Sequence, residues 1–160
     1  MAKEKFPTTP AIRELKKHRA EFSLHPYKYV EKGGTAAAAE ALSMDEHSVI
    51  KTLVMESRGY QPFLVLMHGD KSVSTKALAR ILGVKTVSPC EPKTALQCTG
   101  YLVGGISPFG TRKPMKVYME ATVMDLPKIC INAGKRGLLA IIPPGEIARI
   151  LNPEPVNAAI

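Results

Sequence analysis

Gly100-Tyr101-Leu102-Val103-Gly104-Gly105-Ile106-Ser107-Pro108-Phe109-Gly110 is the stretch on which the reading of this chain turns. Tyr101 to Val103 is an apolar run that predicts a short buried strand. It leads straight into Gly104-Gly105, then Ser107-Pro108, then Gly110. Glycine at a strand end permits positive φ and lets another molecule approach the backbone closely. Proline fixes the turn and removes one donor. Two readings fit. One is a hairpin turn between two strands. The other is a rigid loop, poor in side chains, whose backbone N–H groups face an anion or a developing oxyanion.

Upstream, Pro89 to Gln97 predicts a capped helix and Lys85 to Ser88 a short strand. Ser74 or Thr75 caps a helix over Lys76–Leu82, and Gly83 stops it. Pro62 to His68 reads as a strand that turns at Gly69-Asp70. Val49-Ile50-Lys51-Thr52-Leu53-Val54-Met55 is a β-branched strand. Its two-residue period puts Val49, Lys51, Leu53 and Met55 on one face. A lysine among three apolar residues is unusual. Either the strand is an edge whose lysine snorkels to water, or the neighbouring residues border a pocket.

Nearer the N-terminus, Thr8 or Thr9 with Pro10 starts a helix that continues through Ala20. Phe22, Leu24 and Tyr27 sketch a first strand, and Thr35 caps a helix over Ala36–Leu42. Asp45 or Ser43 caps a short helical turn before Val49.

Downstream of the glycine stretch, Met115 to Met119 and Lys128 to Asn132 read as strands. Ala133-Gly134-Lys135-Arg136-Gly137 is a second glycine-bounded turn, here with two adjacent cations. Leu138 to Ile142 is the returning strand, Glu146 to Leu151 a last helix, and Glu154 to Ile160 a loose tail. Roughly seven strands and four or five helices without strict alternation predict an α+β fold. The expected architecture is a curved mixed, mainly antiparallel sheet with helices packed outside, in a single domain over residues 1–160 with its core at 8–152.

Hydrophobic residues make up 45% of the chain, enough for a core, while 6% aromatics and no Trp leave its filling to aliphatic side chains. A net charge of +8 favours polyanionic partners such as nucleic acid. Cys90, Cys98 and Cys130 form no CxxC pair, and their odd number argues against a secreted disulfide framework. No apolar run is long enough for a membrane span, and Met1 to Phe6 lacks the apolar region of a signal peptide. The expectation is a cytoplasmic protein without a membrane partner.

No Gly-x-Ser-x-Gly elbow, His-Glu-x-x-His or P-loop is present. His18, His25, His47 and His68 lack metal-ligand spacing and read as surface or turn residues, so no metal or cofactor is expected. Cys98 reads either as a reactive thiol beside the glycine loop or as a small buried hydrophobe. What remains is Lys51 and two glycine turns, a set suited to holding an anionic ligand and catalysing by position and electrostatics.

With these pieces assembled, the chain resembles the YbaK/EbsC family, freestanding relatives of the editing domain of bacterial prolyl-tRNA synthetase. Four segments carry the resemblance: Val49–Val54, Ala77–Gly83, Thr99–Gly110 and Gly134-Lys135-Arg136-Gly137. The resemblance implies a trans-editing deacylase that hydrolyses the ester of mischarged tRNA, Cys-tRNA(Pro) first, without metal or obligatory protein nucleophile. It implies tRNA as partner through its 3′-terminal aminoacyl-adenosine, with prolyl-tRNA synthetase as a possible second. Lys51 matches the family's strand lysine, Gly104 its functional glycine, and Tyr27 a pocket tyrosine. By the same match Gly105 joins the catalytic loop. Ile106, Ser107, Pro108, Gly110, Asn132, Gly134, Lys135 and Arg136 fall among the substrate-binding positions.

Two positions depart from the YbaK pattern: Asn132 stands for a serine and Leu139 for an aspartate. A phenylalanine near Gly33-Gly34 is also missing. These departures leave the amino acid open, with Ser-, Thr- or Ala-tRNA as alternatives to Cys-tRNA(Pro). They also leave a non-catalytic aminoacyl-tRNA or synthetase-binding module, or a small anion-binding regulator, as rivals of another class.

Overall fold

In a computed structural model, which describes residues 6–160, Thr9 opens the first helix, α1 (Pro10–Lys17). The Thr9 hydroxyl accepts the Ile12 N–H at 3.0 Å and donates to the Ala133 carbonyl at 2.6 Å, so one side chain caps the helix and ties it to a strand. The reading of Met1 to Lys5 lies outside the described residues. After β1 (Ser23–Pro26), helix α2 (Gly34–Leu42) begins at Gly33 and not at Thr35. The Thr35 hydroxyl instead meets the Glu46 carboxylate at 3.0 Å and the Gly69 carbonyl at 3.2 Å. Asp45 caps a short 3₁₀ turn, Glu46–Ser48, as its side chain accepts the His47 N–H.

Strands β2 (Val49–Glu56) and β3 (Phe63–His68) follow, then α3 (Thr75–Leu82). The Ser74 hydroxyl caps α3, and Gly83 ends it at φ 72°. Next come β4 (Ser88–Pro89), α4 (Pro92–Thr99) and β5 (Val117–Glu120). The chain closes with β6 (Ile129–Lys135), β7 (Leu138–Ile142), α5 (Pro144–Leu151) and β8 (Glu154–Val156).

The sheet runs β1-β7-β6-β2-β3-β5-β8, with β4 also on β2. The pairs β1/β7, β6/β7, β2/β3 and β2/β4 are antiparallel, while β2/β6, β3/β5 and β5/β8 are parallel. The sheet is therefore mixed, as expected. Helices cover both faces. On one, Ile12 and Leu15 of α1 and Ile147 of α5 pack against Ile50, Val54, Leu64, Leu66 and Ile131. On the other, α3 buries Leu78 and Ala79 against Met55, Phe63 and Val65, and α2 buries Ala38 and Ala39 against Val49 and Leu139. Strand β3 lies buried throughout, which is why it reads as an unbroken apolar run.

Three sequence expectations are corrected. Tyr101 to Val103 forms no strand: Tyr101 is buried, while Leu102 and Val103 are exposed in a loop. The apolar run splits because the Tyr101 hydroxyl is drawn inward to the Phe109 carbonyl at 2.6 Å. The short β4 replaces the strand expected over Lys85–Ser88, and α4 starts at Pro92. The tail is not loose. Strand β8 pairs with β5, and the buried Glu120 carboxylate accepts the N–H groups of Ala158 and Ala159 at 2.7 and 3.0 Å.

That clasp carries a prediction. Glu120→Gln keeps the shape but removes the charge and one acceptor oxygen, and charge-assisted bonds of this kind contribute about 1.5 kcal/mol or more. The expected result is a loss of about 1.5 kcal/mol in urea unfolding. A variant as stable as the wild type would show that the tail is held by other contacts.

Candidate functional site

Strand β2 has an interruption on one edge. It pairs with β6 only through Val49 and Ile50, and with β4 only through Met55 and Glu56. Between those points the stretch Lys51–Val54 has β3 on one side and no ladder partner on the other. The Val54 carbonyl accepts the Cys90 N–H on that open side at 2.9 Å. Strand alternation turns the Thr52 N–H and C=O the same way. A cavity of about 640 Å³ opens there. Its walls include β2, the start of α2 at Gly34-Thr35, the loop residues Val103, Gly104 and Ile106, and Asn132, Arg136 and Leu139.

Lys51 stands in this cavity, half-buried. The two-residue period explains its placement. On its face of the sheet α2 covers Val49 and α3 covers Met55. Lys51 falls between the two helices, so the pocket reading of the strand prevails over the edge reading. Among the described residues no carboxylate lies within ion-pair distance of its ammonium.

The glycine stretch divides into two parts. Val103, Gly104 and Ile106 border the cavity, and Gly104 adopts φ 92° there. Among the described residues the Gly104 N–H donates to no other group. The Gly105 N–H does not share that freedom, because it closes a turn onto the Leu102 carbonyl at 2.8 Å. Gly105 is needed for close approach: a Cβ there would lie 2.8 Å from the Arg136 nitrogen. Ser107 and Pro108 are buried, and neither they nor Gly110 lines the cavity. They anchor the loop, with the Ser107 hydroxyl accepting the Phe109 N–H and Gly110 packed against the backbone of α1.

The second glycine turn locks onto the first. Asn132 donates its amide N–H to the Gly104 carbonyl at 3.1 Å. Its amide oxygen accepts the N–H groups of Gly134 and Lys135 at 2.7 and 3.1 Å. One side chain therefore fixes both turns, across a register shift in β6 between Asn132 and Lys135. Arg136 donates from Nε to the Val103 carbonyl at 2.8 Å and lies over the Tyr29 ring, 5.2 Å from its centroid. Tyr27 lines the same cavity, and burial, with Tyr29 and Cys130 nearby, raises its phenol above the ordinary range. It is therefore a neutral hydroxyl at physiological pH. Of the expected site residues, Lys51, Gly104, Ile106, Tyr27, Asn132 and Arg136 come together in this cavity. Gly134 and Lys135 lie outside its lining, as do Gly105, Ser107, Pro108 and Gly110.

Two lining residues escape a reading of the sequence. Thr52 buries a hydroxyl that has no hydrogen-bond partner among the described residues, an arrangement that costs free energy unless a ligand or water supplies one. Tyr29 holds Arg136, and its spacing from Tyr27 is the signal that could have found it.

Glu31 and Lys32 also line the cavity, whereas His68 and the cysteines serve the packing. His68 is buried and not at the surface, stacked on His47 at 3.7 Å between ring centroids and hydrogen-bonded to the His47 carbonyl and Thr122. Cys98 is buried as a small hydrophobe. Burial, reinforced by Glu56, pushes the Cys90 thiol up to about 12, and burial alone takes Cys130 to about 12. Among the described residues no three His, Cys, Asp or Glu side chains gather to hold a metal, and no helix is long and apolar enough to cross a membrane.

Residues 31–150 match the family of the aminoacyl-tRNA editing domain. Over 154 residues the chain is 29% identical to EbsC of Enterococcus faecalis, a candidate Cys-tRNA(Pro)/Cys-tRNA(Cys) deacylase, covering 95% of this chain and 94% of that one. A proline–tRNA ligase of Thermodesulfovibrio yellowstonii is 30% identical over 110 residues, which span 69% of this chain and 18% of the ligase. Among solved structures, a candidate trans-editing enzyme for prolyl-tRNA synthetase superposes with a TM-score of 0.84 at 18% identity, over 97% of this chain and 99% of that one. At that identity the likeness establishes the fold, a mixed sheet with helices.

Proposed function

This chain belongs to the aminoacyl-tRNA editing domain family, and from that premise we propose that it hydrolyses the ester joining a wrongly attached amino acid to the 3′-terminal adenosine of tRNA. Its first substrate is Cys-tRNA(Pro), a reading supported by the name of the Enterococcus relative. The observation that carries the proposal is one cavity lined by both Lys51 and Gly104. Concave, largely apolar sites with a few aimed polar groups are where small ligand moieties bind.

In the proposed arrangement the Lys51 ammonium holds a ribose or phosphate oxygen of the terminal nucleotide. The Gly104 N–H donates to the ester carbonyl, and this bond strengthens as negative charge builds on that oxygen. Ala38, Val49 and Leu139 give the cavity an apolar wall suited to a small uncharged side chain. With a cysteinyl ester, the substrate's sulfur attacks the carbonyl carbon. The bond to the ribose oxygen breaks, that oxygen leaves with the thiol's proton, and cysteine departs as its cyclic thioester, which water then opens to the free amino acid. With other amino acids water attacks, leaving the free acid and the ribose hydroxyl.

The protein's own cysteines take no part. At neutral pH thiols pushed to about 12 stay protonated, and the thiolate is the nucleophile. Replacing Cys90 with Ser and Cys98 and Cys130 with Ala should leave turnover within about threefold of wild type. Loss of turnover in a folded triple variant would mean that a protein thiol attacks.

The proposal is tested by release of labelled amino acid from Cys-, Ala-, Ser- and Thr-charged tRNA(Pro), with Pro-tRNA(Pro) as control. Accelerated release of cysteine, with proline retained, is expected. Tight tRNA binding without release from any of them would make the protein a binding module.

A further inference from the structure

Beside the large cavity lies a smaller hollow of about 320 Å³. Tyr27, Tyr29 and Arg136 line both, so they form a shared wall. Phe6 and Lys135 line only the smaller one. Of five tyrosines and four phenylalanines in the chain, Phe6, Tyr27 and Tyr29 gather at this one place.

The two cations beside them keep donors to spare. Among the described residues Lys135 has no carboxylate partner. Among the described residues Arg136 donates from its Nε alone, to the Val103 carbonyl, and it rests on the Tyr29 ring. The Asn132 clamp on the Lys135 N–H fixes the backbone that carries both cations. Aromatic faces next to fixed cations are the chemistry of a single-stranded nucleotide: the base stacks, and the phosphodiester is neutralised.

We propose that this hollow binds the nucleotide immediately 5′ of the terminal adenosine of tRNA, with its base against the aromatic side chains and the linking phosphodiester at Arg136 and Lys135. The inference rests on the deacylase reading, which puts the terminal adenosine in the large cavity. From there the strand crosses the shared wall, and the first phosphate it carries meets Arg136. The unpaired 3′ end of tRNA leaves this base free to stack. The second glycine turn thus reads one nucleotide further along the strand than the first.

Two hydrolysis-resistant probes test the site by titration calorimetry. One is adenosine with cysteine amide-linked at its 3′ position; the other is cytidylyl-adenosine with the same group. Wild type should bind the dinucleotide at least about tenfold more tightly, given one added stack and one added phosphate. Phe6→Ala and Lys135→Ala should each shrink that ratio to about threefold or less. Lys135→Ala should also lower the log–log salt slope for the dinucleotide by about 0.7. A ratio near one in wild type, with the adenosine probe still bound, overturns this site and leaves the deacylase reading standing. A tenfold ratio unmoved by either folded variant puts the second nucleotide elsewhere and equally overturns the assignment. Binding of neither probe overturns both proposals.

Discussion

Lys51→Ala should lower kcat/KM for Cys-tRNA(Pro) by about ten- to a hundred-fold while leaving the fold as stable as before. The first half follows from the proposed contact. A charge-assisted hydrogen bond in a partly buried cavity contributes about 1.5–3 kcal/mol, which is that range of rate by transition-state arithmetic. The second half follows from what Lys51 does not touch. It is half-buried, faces the cavity, and among the described residues has no ion-pair partner. Removing it breaks no ion pair among the described residues, so unfolding should change by less than about 0.5 kcal/mol. Lys51→Arg should rescue poorly, because a planar fork cannot take the place of a compact ammonium. Single-turnover deacylation beside urea unfolding separates the two effects. Equal rates in all three proteins would make Lys51 a surface residue and misplace the site.

Gly104→Ala should cost about a hundred-fold in kcat, the scale seen when an oxyanion donor is lost. At φ 92° an L side chain is strained, and a Cβ would fall 2.7 Å from the Tyr29 hydroxyl and 3.1 Å from its ring edge. Because the loop is exposed at this point, relief comes from moving the loop and not from unfolding the core. Motion of the loop turns the Gly104 N–H away from the carbonyl and disturbs the ring under Arg136. The comparison is Gly145→Ala, where a Cβ meets nothing within 4 Å and φ is not positive. That variant should be indistinguishable from wild type in rate and slightly more stable, since alanine suits a helix better than glycine. Similar rates for Gly104→Ala and Gly145→Ala would remove the loop amide from the chemistry.

Local signals in the sequence carried far into the fold. The Thr9 and Ser74 caps, the Gly83 stop and the alternation along β2 are each set by residues a few positions apart, and each appears in the structure. Signals that depend on distant partners did not carry. Leu102 and Val103 are as apolar as a strand should be, yet they lie exposed in a loop, because only the Tyr101–Phe109 contact decides which way the run turns. Strand β8 contains a proline and a glutamate and has no periodicity. It exists because β5 presents an open edge and Glu120 clasps the residues beyond it. The site divides the same way. Lys51 was legible because a lysine breaks an apolar face. Thr52 and Tyr29 were not, since they become lining residues only where β2 loses its ladder partner and where Arg136 folds over a ring. Gly105, Ser107, Pro108 and Gly110 were assigned through the resemblance, and in the fold they build the loop that carries Gly104 and Ile106 to the cavity.

Where an aminoacyl ester binds decides between a catalytic cavity and an idle one. A crystal structure with 3′-cysteinylamino-adenosine, whose amide stands in for the ester, is the measurement. The amide carbonyl should lie within hydrogen-bond reach of the Gly104 N–H, and a ribose oxygen should sit on the Lys51 ammonium. An analogue bound with its carbonyl away from Gly104 and no contact to Lys51 would contradict the catalytic reading.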